Sequence, residues 1–375
     1  MPVIFCNANI FTPEGYLYGG FEVINGRFAE ILPGLRDGGE TDLHGRKVIP
    51  GLIDIHIHGC AGRDFSDGEE EGVRFMAKYL ARRGITGFAP TSMTLPHEAL
   101  KKAFESAARV HECPDEGAAR IAGIHMEGPF LSGSRKGAQN GEYLRNPDIE
   151  EFRELQDACG GLIRIVDLAP ELEGARDFTL AASRNAVVSA AHTDADYEQA
   201  SALYEAGASH LTHLYNAMPF IRHRSPGVIG AASERQHVTA ELICDGIHVH
   251  PSAVRMAFRL FPERICLISD ALRCCGMPDG SYELGGQNVY LEGGAAHLED
   301  GTIAGSAADL HTCLQNAVRF QIPEEEAIRA ATLNPAKVMG IDREAGSIAP
   351  GKRADFLICD RELNIRTVYI EGKAL

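Results

Sequence analysis

"GLIDIHIHGC", residues 51–60, carries two histidines two apart inside an otherwise apolar run. Isoleucine alternates there with Asp54, His56 and His58, and side chains at i and i+2 of a strand point to one face, so the stretch reads as a β-strand that presents both imidazoles together. Each buried imidazole needs a hydrogen-bond partner, and a metal ion is one way to satisfy both. Two ligands do not make a site, and a pair of satisfied core histidines gives the same pattern. The rest of the chain has to decide between them.

Seven more strand-like runs follow: "GITGFAPTS", "RIAGIHMEG", "LIRIVDLAPE", "AVVSAAHTD", "HLTHLYNA", "TAELICDGIH" and "RICLISDA". Between them lie stretches with helical spacing of apolar residues, such as "EEEGVRFMAKYLARRG" and "DADYEQASALYEAG", with acidic residues near the start and Gly near the end. Eight such units predict an α/β fold, a TIM (β/α)8 barrel over residues 51–345, whose active site gathers at the carboxyl ends of the strands. The first fifty residues and the last thirty share a texture of short β-like runs broken by Gly and Pro. Residues 1–50 and 346–375 are therefore expected to meet in a small β-sandwich domain. A Gly-rich stretch at about 277–300 reads as a hairpin insertion after the eighth strand.

Composition narrows the partners. Lys and Arg number 36 against 52 Asp and Glu, a formal charge of −16, which repels nucleic acid and anionic membrane surfaces alike. The chain shows no secretory start and no apolar run of membrane-spanning length. The ten cysteines lack C-x-x-C spacing, so reduced thiols and a cytoplasmic location are expected.

The chemistry-bearing residues fall at strand ends. Glu127 closes the third run, His192 the fifth, His213 the sixth, His248 the seventh and Asp270 the eighth. A barrel would bring them around one mouth with His56 and His58. The histidines and Glu127 together exceed the three protein ligands of an ordinary catalytic zinc, so either one metal has spare neighbours or two metals share Glu127 as a bridge. Asp270 would then take a proton from the attacking water and return it to a leaving amine. That combination predicts metal-assisted hydrolysis of an amide or ester.

"KVIPGLIDIHIHG" near the start and "GSIAPGKRADFLI" near the end resemble the two halves of the amidohydrolase superfamily signature. "IHMEGPFLS", "AAHTDA", "THLYNAMPFIRHRSPG", "DGIHVHP" and "SDA" resemble, within it, the N-acetylglucosamine-6-phosphate deacetylase family. The resemblance implies metal binding by Glu127, His192 and His213, with His56 and His58 able to hold a second ion. The implied cofactor is a divalent metal, Zn2+ or Fe2+, one or two per subunit. Asp270 matches the family's catalytic aspartate. Asn216 and Ala217 fall where the family contacts the sugar phosphate, His248 matches a substrate-contacting histidine, and Arg224 matches a phosphate-binding arginine that the family can draw from a neighbouring subunit of a homodimer. The implied substrate is an N-acetylhexosamine 6-phosphate, gluco or galacto.

Two departures qualify that picture. Many binuclear amidohydrolases bridge their metals with a carboxylated lysine, yet no lysine lies between Lys136 and Lys337. After "EGPFLS" the family's Lys-Gly-x-His pattern reads Lys136-Gly137-Ala138-Gln139 here. Gln139 is expected to contact the substrate, since a glutamine amide donates a hydrogen bond to the acetyl carbonyl or a sugar hydroxyl, but it carries neither proton nor charge. His125, His210, His223 and His250 also lie near the motifs and read as supporting or structural residues. A cyclic-amide hydrolase would want the absent lysine, and a non-catalytic scaffold would have lost ligands that are present.

Overall fold

The computed structural model describes residues 2–34 and 41–375. Residues 1 and 35–40, part of the expected terminal domain, lie outside the described residues.

Each of the eight runs contains a strand, and the strands pair in parallel in chain order. Leu52–Ile57, Ile85–Pro90 and Arg120–Ile121 form a three-stranded sheet. Ile124–Met126, Ile163–Leu168, Val187–Ala190, His210–Leu211, Thr239–Ile243 and Ile265–Ile268 form a six-stranded one. The third run is thus split between the two sheets. Backbone hydrogen bonds cross both gaps: Ser92 N donates to His125 O at 3.0 Å, and Asp270 N donates to His56 O at 2.9 Å. The molecule is a mixed α/β fold built on parallel strands buried on both faces, the usual condition for a parallel sheet.

The helices between the strands form because their apolar residues fall on one stripe. In Glu70–Arg82 the buried residues Val73, Met76, Ala77, Leu80 and Ala81 follow the i, i+3, i+4, i+7, i+8 spacing, with Glu70 and Glu71 in the first turn. Gly84 ends the connection with φ +81°, and a Cβ there would lie 2.5 Å from Ile365 Cδ1 of the terminal sheet. Only glycine fits that turn.

A second apolar cluster joins Ile53, Ile55, Ile165, Ile243 and Ile268 of the strands to Ala336 and Met339. The helix Leu333–Val338 holds this end, since Asn334 Nδ2 donates to the carbonyl of Ile265, the first residue of its strand, at 2.8 Å. With the amino ends of the strands sealed by this apolar plug, polar side chains collect at the carboxyl ends.

Strands from both ends of the chain share one eight-stranded sheet, in the order Lys373–Ala374, Ile365–Ile370, Phe356–Cys359, Lys47–Pro50, Val3–Thr12, Gly15–Ile24 and Arg27–Pro33, with Thr41–Asp42 also on Val3–Thr12. It has a core of its own, in which Phe5 stacks on Phe21 at 4.8 Å and Phe356 on Tyr369 at 4.4 Å. The Gly-rich stretch is an antiparallel meander, Gly280–Leu284, Gln287–Glu292 and Ala295–His297.

Candidate metal centre and its cavity

Four histidines and two carboxylates from five strand ends converge. His56 and His58 end the first strand, whose pairing with Ile85–Pro90 slips between Asp54 and Ile57. Such irregularities re-aim side chains beside functional sites. His192, His213 and Asp270 have left-handed backbone, φ +40°, +30° and +49°. For non-glycine residues this conformation is strained and survives only where the surroundings impose it.

Glu127 is the centre of the cluster. Its Oε1 lies 3.2 Å from His192 Nε2 and 3.1 Å from His213 Nε2, and those two nitrogens are 3.0 Å apart. Its Oε2 lies 3.3 Å from His58 Nε2, which is also 3.3 Å from Asp270 Oδ1. His56 Nε2 stands 3.5 Å from both Glu127 Oε1 and Asp270 Oδ1.

The outer nitrogens explain the orientation. His58 Nδ1 donates to Thr91 O at 3.1 Å, His192 Nδ1 to Arg135 O at 2.9 Å, and His56 Nδ1 to Glu241 Oε2 at 2.9 Å. A neutral imidazole that donates from Nδ1 has its lone pair on Nε2. Three lone pairs therefore face carboxylate oxygens, an arrangement that requires positive charge between them.

Without a cation His213 and His58 are the histidines driven towards the charged form. Burial works against a charged His213, yet its bond to Glu127 raises its pKa to about 9. His58 is likewise pushed well up, against burial, by Asp270 and Glu127. Burial would raise Glu127, but His56 and the bonds from His192, His213 and His58 hold it well below the usual carboxylate range. Asp270 is also lowered: His56 and His58 outweigh its burial.

A divalent cation fits the same atoms better. The sets Glu127, His192, His213 and His56, His58, Glu127 each place nitrogen and oxygen ligands close enough to share an ion, and ion–ligand bonds near 2.0–2.2 Å would fit between atoms about 3.0–3.5 Å apart. The buried His56 Nε2 has no hydrogen-bond partner of its own.

These residues open on a cavity of about 230 Å³, also lined by Gln139, Asn216, Ala217 and His248. Gln139 is fixed at both ends: Thr94 N donates to its Oε1 at 2.7 Å, and its Nε2 donates to Glu127 Oε2 at 2.5 Å. Asn216 turns its amide back onto His213 O and Leu214 O, at 3.2 and 3.3 Å. His248 lines the cavity but both its nitrogens are engaged, Nδ1 with Asp245 Oδ2 and Nε2 with Ala304 O, each at 2.7 Å. Acceptors on both sides hold that ring as a cation. Arg224 does not join the group. It is exposed in the turn closed by the Arg222–Ser225 bridge, and among the described residues no lysine or arginine lines the cavity.

Beneath the centre lies a supporting layer in which His125 and His210 take the structural part expected of them, and whose carboxylates, Glu241, Asp167 and Asp54, reading the sequence missed. Glu241, fully buried, accepts from His56, from His210 Nε2 at 3.2 Å and from the His213 amide at 3.2 Å. His125 bridges Ile55 O and Asp167 Oδ1, at 2.9 and 3.0 Å. Asp54 is buried as well, and burial raises its pKa to about 7 despite bonds from Ser269 and His56. The signal was available: an acidic residue inside a strand buried on both faces must be paired. His250 caps the helix Pro251–Leu260, and His223 is exposed.

Comparison with known proteins agrees with this geometry. Residues 47–375 match the amidohydrolase family. The chain is 40% identical over 333 residues to the N-acetylglucosamine-6-phosphate deacetylase of Bacillus subtilis, covering 87% of this chain and 83% of that one. It is 35% identical over 368 residues to the N-acetylgalactosamine-6-phosphate deacetylase of Escherichia coli O157:H7, covering 97% of each. Among solved structures, a mutant N-acetyl-D-glucosamine-6-phosphate deacetylase of Mycobacterium smegmatis in complex with N-acetyl-D-glucosamine-6-phosphate superposes with TM-score 0.94 at 33% identity, covering 100% of this chain and 99% of that one. The chain belongs to the amidohydrolase family.

Proposed function

We propose that the protein hydrolyses the N-acetyl group of N-acetyl-D-glucosamine 6-phosphate, releasing acetate and D-glucosamine 6-phosphate, as an enzyme of amino-sugar metabolism. The observation that carries this reading is the convergence of Glu127, His192, His213, His56, His58 and Asp270 on one cavity at the strand ends, in a chain whose relatives bear the names of such deacetylases.

Glu127, His192 and His213 would hold one divalent ion, zinc or iron(II), and His56 and His58 would share Glu127 with a second. Such an ion polarises a carbonyl and makes water nucleophilic near neutral pH. The remaining steps belong to the chain's own groups. Asp270, kept ionised beside His58, takes the proton of the attacking water as the new C–O bond forms. It delivers that proton to the amide nitrogen as the C–N bond breaks. Gln139 spends one N–H on Glu127, and the other is available to the acetyl oxygen. Asn216, Ala217 and His248 line the space for the sugar.

The phosphate needs a cation that the cavity walls do not supply as lysine or arginine. Arg224 supplies it across a homodimer interface in this reading, since a guanidinium forks onto phosphate oxygens. The exposed Phe220 and Ile221 beside it, 75% and 44% accessible, would be covered by the same pairing.

The two parallel sheets are read as one closed (β/α)8 barrel over residues 51–345, supported by the bridges Thr91–His125 and Ile57–Ala271 at the two gaps. Residues 1–50 and 346–375 would form the small β-sandwich unit. All ten cysteines are unpaired, which suits the cytoplasm, and no helix among the described residues is long and apolar enough to cross a membrane.

The galacto epimer is the second reading, favoured by the end-to-end match to the Escherichia coli enzyme. Acetate release by the metal-loaded protein from the gluco phosphate, the galacto phosphate and unphosphorylated N-acetylglucosamine separates the possibilities. Preference for the gluco phosphate is expected. Preference for the galacto phosphate moves the substrate, and no release from any of the three overturns the assignment.

A further inference from the structure

We infer that Glu241 is a positioning residue that fixes the tautomer of His56 and thereby sets the affinity of the His56, His58, Glu127 pocket for its ion. The inference rests on the reading that this pocket holds a metal, and it concerns whether the protein carries one ion or two.

The four histidines of the centre are supported unequally. His58 and His192 lean on neutral backbone carbonyls, Thr91 O and Arg135 O, and His213 Nδ1 has no partner at all. His56 alone is backed by a carboxylate, Glu241 Oε2 at 2.9 Å. An ionised carboxylate only accepts hydrogen bonds, so the proton of His56 is held on Nδ1 and the lone pair on Nε2. That nitrogen is the one left unpartnered beside Glu127 and Asp270. A carboxylate behind a ligating imidazole also increases its basicity towards a metal.

Glu241 is itself tightly determined. It is fully buried, its two oxygens take three donors, and it does not line the cavity. It therefore acts through His56 and touches no substrate. The isosteric Glu241→Gln removes the charge while leaving an oxygen for His56. Its new N–H group can donate to His210 Nε2 once that ring moves its proton to Nδ1, which faces Thr239 Oγ1 at 2.5 Å.

The test is equilibrium dialysis of the zinc-loaded full chain against graded chelator, with bound zinc counted for wild type, Glu241→Gln, His56→Asn and the double variant. Wild type is expected to release zinc in two steps, one of which His56→Asn abolishes. Glu241→Gln should move that step to about 10- to 100-fold higher free zinc, leave the other in place, and add nothing in the His56→Asn background. A single step in wild type, equal movement of both steps, or no movement would overturn the inference. Should Glu241→Gln fail to fold by circular dichroism, nitrogen-15 spectra of the histidines in zinc-loaded wild type decide. A proton on His56 Nδ1 with zinc on Nε2 supports the inference, and any other state of that ring overturns it. Neither readout involves a sugar. Failure to deacetylate would sink the substrate assignment and leave the zinc result standing.

Discussion

Asp270, the proposed proton carrier, lines the cavity with its Oδ1 3.3 Å from His58 Nε2. Asp270→Asn keeps the size and loses the base, so turnover is expected to fall by about 10²- to 10⁴-fold while bound metal, counted in the same preparation, stays at the wild-type level. Near-normal turnover would remove Asp270 from the proton path. Gly305 gives an independent handle on the same group, because a Cβ there would lie 2.5 Å from Asp270 O and 3.0 Å from its Oδ1. Gly305→Ala should displace the carboxylate, lowering kcat with metal content preserved and costing about 1–3 kcal/mol of stability; an unchanged kcat would show that the close approach is not needed. The side chains of this centre were legible because each stands at the end of an apolar run, where a polar residue is conspicuous. Glu241 was as conspicuous in "TAELI" but belongs to a layer whose partners, His56 and His210, are distant in sequence. The engagement of both His248 nitrogens depends on Ala304, in a segment with no recognisable pattern.

At the scale of elements, the periodic pattern placed all eight strand runs and, between them, helices such as Glu70–Arg82 and Tyr197–Glu205. What it could not place is where strands stop. The sixth is only His210–Leu211, because the chain leaves the sheet to turn His213, Tyr215 and Ala217 through φ +30°, +80° and +51°. Site geometry overrides β-propensity there. The third is split because Arg120–Ile121 pairs with one sheet and Ile124–Met126 with the other. Where pattern and packing agree, a helix should answer as an ordinary core element. Leu80, buried on the helix Glu70–Arg82, is expected to lose about 2–5 kcal/mol on Leu80→Ala, read from urea unfolding with zinc held in excess. A loss under 1 kcal/mol would mean that this stripe contributes little to the core. Gly84→Ala next to it should destabilise too, since the added carbon meets Ile365 at the junction with the terminal sheet.

For the whole molecule, charge balance and assembly are linked. The centre concentrates carboxylates that want a cation, so chelation should lower the melting temperature and added zinc restore it; a ligand at 100 times its Kd stabilises by about 2.7 kcal/mol. A melting temperature indifferent to chelator would mean that the native fold holds no ion. The proposed substrate brings the reverse deficit: among the described residues no lysine or arginine lines the cavity to meet its phosphate, while Arg224 and the apolar Phe220 lie exposed. If a second copy brings Arg224 to the phosphate, the sequence motif and the bare surface have one cause. Phe220→Asp should then convert a dimer to a monomer on size-exclusion chromatography and raise KM for the sugar phosphate. Arg224→Ala should raise that KM by roughly 10- to 100-fold, as loss of a charged hydrogen bond does, with the dimer intact and hydrolysis of the unphosphorylated sugar unaffected. A monomeric wild type with full activity would refute the shared site, and Arg224 would then be no more than a solvated residue on an acidic protein.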